Sequence, residues 1–263
     1  MSLVRTEREG DVVHVVLDRP DRHNALLPET WQALARIGAE LREDASVKVV
    51  VVRGEGPSFS SGIDRQALAD GALTPFGFTG AEEDRDREQY EERDIVAAQA
   101  TSRWLIDGDF VSIAAVRGFA FGAGAQIAMA CDIRIVGDDA QFALPEVQIG
   151  LFPEMSAVAV LPGIVGYDHA LELALTGRRF GAEEAKGFGL ATRVVPAEET
   201  VTAASELATA IAKARPDAIR YCKRAMQAGA ARDVDSALAI ARQGGLRLLQ
   251  EIQEYWRWES GAR

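Results

Sequence analysis

Val12, Val13, Val15, Val16 and Leu17 surround one polar residue, His14, and so continuous a β-branched run predicts a strand buried on both faces. Asp18, Arg19, Pro20 and Asp21 break it. Pro28 suits the first turn of a helix, and Trp31, Leu34, Ile37 and Leu41 follow at helical spacing to form one apolar stripe. A second strand is predicted at 47–52, stopping at Gly54, Glu55, Gly56 and Pro57, and further strands at 111–116 and 133–136. Strand, helix and strand in alternation predict α/β packing. From Glu198 onward the chain is rich in Ala, Leu, Ile and Arg without a strand pattern, which predicts a helical carboxy-terminal region. Between 71 and 93, Gly, Thr and Pro give way to a dense run of Glu, Asp and Arg, expected as a solvated face.

Charge narrows the choice of partners. The 29 Lys and Arg against 40 Asp and Glu leave a net charge of −11, which repels a phosphate backbone, so nucleic acid is not expected as a partner. Cys131 and Cys222 stand alone, and with only His14, His23 and His169 available no metal-ligand spacing is present. No apolar run is long enough to span a membrane, and the amino terminus has no signal core; a cytoplasmic, unanchored protein is expected.

Three segments carry candidate chemistry. Ser58 to Arg65 follows a strand and a Gly-Pro turn; Gly62 permits an unusual backbone angle there and leaves the Ile63 amide facing out, although an ordinary strand-to-helix connection fits as well. Gly118 to Gln126 places small residues at 122–125, where a helix start aims free N–H groups at whatever lies in front, or where helices simply pack closely. It lacks the Lys-Ser or Lys-Thr of a phosphate loop and the Gly-x-Gly-x-x-Gly of a dinucleotide site. In the third, Pro145-Glu146 and Pro153-Glu154 bracket an apolar stretch. Each pair fits a helix start, but a carboxylate held among Val147, Ile149, Leu151 and Phe152 would be desolvated and its pKa raised.

Taken in order, Arg22-His23-Asn24-Ala25-Leu26, the Ser61-Gly62-Ile63-Asp64 turn, Val116 through Arg134, Phe142-Ala143-Leu144-Pro145-Glu146 with Gly150 and Pro153, and Leu175 through Phe180 resemble the crotonase superfamily of enoyl-CoA hydratases and isomerases. The resemblance runs from about Val12 to Pro196. It implies a spiral of ββα turns forming an α/β core over 1–196, and helices over 197–263 that serve assembly into a homotrimer or a dimer of trimers. It also implies a thioester enolate held by two backbone amides, here those of Ile63 and Ala123, beside Gly62 and Gly122. Coenzyme A enters as part of an acyl-CoA substrate, no separate cofactor is expected, and Arg22, Ala25, Asp64, Arg65 and Gln66 are the implied contacts.

Two positions depart from the hydratase pattern, which uses a pair of glutamates to hold water. The first is Gln126, whose amide cannot accept a proton. Glu146 fills the other place of that pair, and the second departure is Glu154, which stands where hydratases usually carry glycine. Isomerases of the superfamily resemble the chain more closely at these two places. Glu146 is therefore expected as the principal acid/base and Glu154 as a second proton donor or a base for a longer substrate, in an enzyme that shifts the double bond of an enoyl- or dienoyl-CoA. A hydratase with Gln126 replacing one glutamate is the alternative, and a noncatalytic acyl-CoA- or RNA-binding homologue the third reading. The tail, with Tyr255, Trp256 and Trp258, departs from the superfamily pattern, so no tail contacts are carried over.

Overall fold

The computed structural model describes residues 3–69 and 87–261, without the side chains of 68–69, 87–95, 97 and 249–261. Most of the charged run at 71–93 lies outside these residues, as do the side chains of the aromatic tail. In chain order the first half comprises β1 (Val4–Glu9), β2 (Val12–Leu17), α1 (Pro28–Glu43), β3 (Val49–Gly54), α2 (Arg65–Ala69), α3 (Arg87–Asp107), β4 (Val111–Val116), β5 (Phe119–Phe121) and α4 (Ala123–Ala130). The second half comprises β6 (Ile133–Gly137), β7 (Gln141–Ala143), α5 (Ala157–Val165), α6 (Tyr167–Thr176), β8 (Phe180–Gly181), α7 (Ala182–Gly187), β9 (Arg193–Val195), α8 (Thr200–Ala212), α9 (Pro216–Ala230) and α10 (Val234–Gly261).

The larger sheet runs β1-β2-β3-β4-β6-β9, parallel except for the β1/β2 hairpin, and the smaller runs β5-β7-β8. Two successive ββα turns are visible in this order. β4-β5-α4 and β6-β7-α5 each send their first strand to the larger sheet and their second to the smaller, where β4 pairs with β6 and β5 with β7. This is the spiral α/β core expected, with a wholly helical stretch after 199.

The predicted strands are buried as their composition demands: every residue of β2 is buried, and all of β3 but Arg53. The α1 stripe of Trp31, Leu34, Ile37 and Leu41 covers one face of the sheet together with α3 and α4. The second face is closed by α8. Ala204 and Ala208 are fully buried against Val12, Val49, Val51, Ile113 and Ile135, so the expected boundary at 197 falls inside the packed unit, and the helices after it begin as part of the core. No helix among the described residues is long and apolar enough to cross a membrane.

Candidate active site

Two loops leave the carboxyl ends of β3 and β4 and are stitched to each other. Phe59 N–H donates to Arg117 O at 2.8 Å, Ser60 N–H to Phe119 O at 2.8 Å, and Phe121 N–H to Ser60 O at 3.0 Å, so the loop after β3 runs parallel to β5. On its other side Leu26 N–H donates to Gly62 O at 2.8 Å and Asp64 N–H to Leu26 O at 3.0 Å. Held between these rails, Ile63 N–H meets no acceptor among the described residues. Gly62 makes the approach possible: its φ is +86°, and a Cβ there would stand 2.6 Å from Phe121 O.

Gly122 turns the second loop into α4. Its φ of +49° with ψ of −123° is a conformation that side chains disfavour, and its N–H donates to Ala143 O at 3.0 Å. Ala123, the first residue of α4, likewise meets no acceptor for its N–H among the described residues. A Cβ on Gly62 would lie 3.6 Å from Ala123 N, so the two free N–H groups sit on neighbouring backbone. The close-packing reading of the small residues holds at Gly124, where a Cβ would come within 2.7 Å of Ser60.

Glu146 stands in the 3-10 segment Pro145–Ile149, and its Oε1 would lie 3.6 Å from a Cβ on Gly122. Gln126, only 1% exposed on α4, donates from Nε2 to that Oε1 at 2.9 Å. The Gln126 Oε1 in turn accepts the N–H groups of Met155, Ser156 and Ala157 at 3.1, 3.2 and 3.3 Å, where α5 begins. Glu146 Oε2 and Glu154 Oε2 are buried without a hydrogen-bond partner. Burial pushes the Glu146 pKa up to about 7 and the neighbouring Glu154 adds to the rise, while hydrogen bonds from its own backbone N–H and from Gln126 oppose it. Burial raises Glu154 as well.

The desolvation has sources beyond the apolar segment expected. Ile149 and Phe152 are each 60% exposed and do not enclose the glutamates, whereas Val147 and Leu151 are half-buried. Glu146 is also covered by the backbone at Gly122 and the side chain of Gln126, groups that no local pattern places there.

The remaining predicted contacts divide in two. Ala25 is buried, with its carbonyl accepting Arg19 Nη1 at 3.2 Å. Arg19 also pairs with Asp64, whose other oxygen accepts the N–H groups of Gln66 and Ala67 at 2.9 and 3.1 Å and so caps α2. Although burial pushes the Asp64 pKa upward, Arg19 and these amides hold it below the ordinary value. Asp64 therefore shapes the loop from within the protein. Arg22, Arg65 and Gln66 are exposed, and neither arginine has an ion-pair partner among the described residues. Sequence reasoning missed the structural part played by Asn24, which is buried and joins the loop after β2 to the loop after β3 through Arg19 N, Glu55 O and Ser58 O. Cys131 is also buried, its thiol pushed up to about 12 by burial, and is inert.

Residues 7–255 match the model of the enoyl-CoA hydratase/isomerase family. The chain is 33% identical over 257 residues to carnitinyl-CoA dehydratase of Proteus mirabilis (strain HI4320), covering 95% of this chain and 90% of that protein. A Thermobifida fusca YX protein, described provisionally as an enoyl-CoA hydratase and solved in complex with CoA, is 35% identical and aligns with a TM-score of 0.84 over 96% of this chain and 95% of its own. Its complex with acetoacetyl-CoA aligns with a TM-score of 0.83 at 35% identity, over 95% and 96%. With sequence and fold matched along almost the whole length, the chain belongs to the enoyl-CoA hydratase/isomerase family.

Proposed function

We propose that this enzyme shifts the double bond of an enoyl-CoA or dienoyl-CoA through an enolate, with Glu146 as the acid/base. The thioester oxygen would be held by the N–H groups of Ile63 and Ala123, which have no other acceptor among the described residues. Fixed N–H dipoles of this kind each lower the barrier by about 3 kcal/mol when charge develops on the oxygen. Glu146 takes the C2 proton of a 3-enoyl thioester, the C3–C4 π electrons of the resulting dienolate accept a proton at C4 from Glu146 or Glu154, and a 2-enoyl thioester results. A carboxyl that titrates near neutrality can perform both transfers.

The observation that carries this reading is the engagement of Gln126. Its oxygen is taken by three backbone N–H groups and its nitrogen donates to Glu146, so the position offers no acceptor to align a water or remove its proton. Isomerisation needs no water. Arg22 and Arg65, without described partners, are assigned to the coenzyme A phosphates. A homotrimer or dimer of trimers belongs to the same reading, and the exposed Met226, Val234, Leu238 and Leu246 of α9 and α10 offer apolar surface for it.

A second reading, water addition to or loss from C3, is favoured by Glu154, a second buried carboxyl with an unpartnered oxygen, and by the likeness to carnitinyl-CoA dehydratase. A paired assay separates the two: purified protein is given a 2-enoyl-CoA and scored for hydration, and 3-enoyl- and 3,5-dienoyl-CoA and scored for double-bond migration. Migration well ahead of hydration is expected. Hydration as fast as migration overturns the first reading.

A further inference from the structure

We propose that Gln126 is a positioning residue that relays the positive amino end of α5 to Glu146, favouring the ionised carboxylate and turning it toward the two free amides. The proposal rests on the reading of Glu146 as the acid/base. Gln126 receives four hydrogen bonds from the segment immediately after Glu154: three N–H groups reach its side-chain oxygen, and Ser156 Oγ donates to its backbone carbonyl at 2.6 Å. Its amide nitrogen gives one bond back, to Glu146 Oε1 at 2.9 Å. The side-chain amide is conjugated, so donors at its oxygen draw electron density away from nitrogen and strengthen the N–H that faces the carboxylate. At 1% exposure, water does not compete for either end.

Gln126 is the described side chain that favours the Glu146 carboxylate, and the other group acting in that direction is the residue's own backbone N–H. α4 carries no ionisable residue. On α6, which packs against the same turn, Glu172 is paired with Arg178, Asp168 is exposed, and His169 is half-exposed with its ring against Phe188. Glu154 is the ionisable group acting on Glu146 among the described residues, and its charge opposes ionisation.

The arrangement also explains why an amide rather than a carboxylate stands at 126. A glutamate could accept from the α5 N–H groups equally well, but its second oxygen would then face Glu146 Oε1 lone pair to lone pair, and the two would have to share a proton.

The test needs no substrate. In the wild-type protein, with side-chain amides labelled with nitrogen-15 and glutamate carboxyls with carbon-13, the Gln126 amide proton should move downfield with the same pH midpoint as the Glu146 carboxyl. The two signals are assigned by their loss in Gln126→Met and Glu146→Gln. In folded Gln126→Met the Glu146 midpoint should rise by about one to two pH units, the shift expected on losing one hydrogen bond to a charged group. The basic shift should reappear in the pH profile of kcat with KM little changed, which a purely structural role would not produce. A Gln126 amide signal that stays flat through the Glu146 midpoint overturns the relay, as does an unmoved midpoint in Gln126→Met. If that variant does not fold, the Gln126 amide is assigned in the wild-type protein by triple-resonance connectivity to its backbone, and the wild-type titration decides. Because these readouts involve no turnover, the relay can fail while isomerisation stands, and can hold in an enzyme that hydrates.

Discussion

Replacing Gly62 by alanine perturbs the contact that brings the two free amides together. The native φ of +86° makes the new side chain strained wherever it points, and its Cβ would stand 2.6 Å from Phe121 O and 3.3 Å from the carbonyl carbon. Real Cβ atoms do not come so close to backbone oxygen, so the loop and β5 must part by several tenths of an ångström. That movement acts on the Ser60–Phe121 pairing, which sets the Ile63 N–H beside that of Ala123. Two costs follow. Left-handed strain removes about 1–2 kcal/mol of stability, and loss of alignment of one enolate donor lowers the rate by about 100-fold or more. Gly10→Ala separates them: Gly10 has a φ of +60° and nothing within 4 Å of the added Cβ, so it carries the strain without the clash. The assay is exchange of the C2 protons of a saturated acyl-CoA in deuterated water, followed by NMR, beside thermal unfolding of both variants. Exchange reports enolate formation whether the natural product is an isomer or a hydrate. Gly10→Ala should exchange like wild type and Gly62→Ala at about one hundredth of that rate. If folded Gly62→Ala exchanges within a few-fold of Gly10→Ala, the paired amides do not hold the enolate.

Glu146→Gln should abolish C2 exchange and turnover, a loss of at least about 100-fold for removing a general base; retained activity would show that another residue takes the proton. The same substitution should stabilise the protein at alkaline pH. The folded-state pKa of about 7 lies above the ordinary 4.5, so the stability linked to Glu146 is fully present below pH 4.5 and is lost as pH rises through 7, at most about 3 kcal/mol. Relative to wild type, the variant's Tm should gain at pH 8 and barely change at pH 4.5, and an equal difference at both would contradict the buried charge. Asn24→Ala removes bonds to Arg19 N, Glu55 O and Ser58 O from a residue 1% exposed, and should cost about 2–4 kcal/mol in urea unfolding. A change below about 1 kcal/mol would mean the loops hold without it. Replacing Arg22 and Arg65 together by alanine should raise KM about tenfold for a coenzyme A thioester and leave a pantetheine thioester unaffected. An equal effect on both would assign the arginines to something other than phosphate.

What the sequence showed plainly was whatever rested on burial along the chain. Strands β2, β4 and β6 and the α1 stripe lie where continuous apolar runs and helical spacing put them, because those patterns record contact with a core directly. β3 begins two residues later than expected: Val47 is buried but precedes the strand, while Arg53 and Gly54 extend it. β1 went unseen because it is an edge strand whose only buried residue is Val4, so its side chains carry no apolar signal. β5, β7 and β8 are two or three residues long, too short for a period to develop. α8 looked like an appendage because alanines form the face it lays on the sheet, and alanine does not distinguish a core helix from a surface one.

The chemistry divides in the same way. Residue types and their order along the chain were enough to name the family resemblance, to single out Glu146 and Glu154, and to place turns at Gly62 and Gly122. A local turn depends on a few neighbouring φ angles, and those are encoded where glycine is. The resemblance implied the pairing of the Ile63 and Ala123 amides, but its geometry, the capture of Asp64 by Arg19, and the covering of Glu146 by Gln126 were decided by tertiary structure. Each joins residues 20 to 60 positions apart, and a hydrogen bond or ion pair across such a distance leaves no periodic mark on either partner. Gln126 is the clearest case. As a letter in the sequence it is a missing carboxylate, and only the folded chain turns its oxygen to α5 and its nitrogen to Glu146.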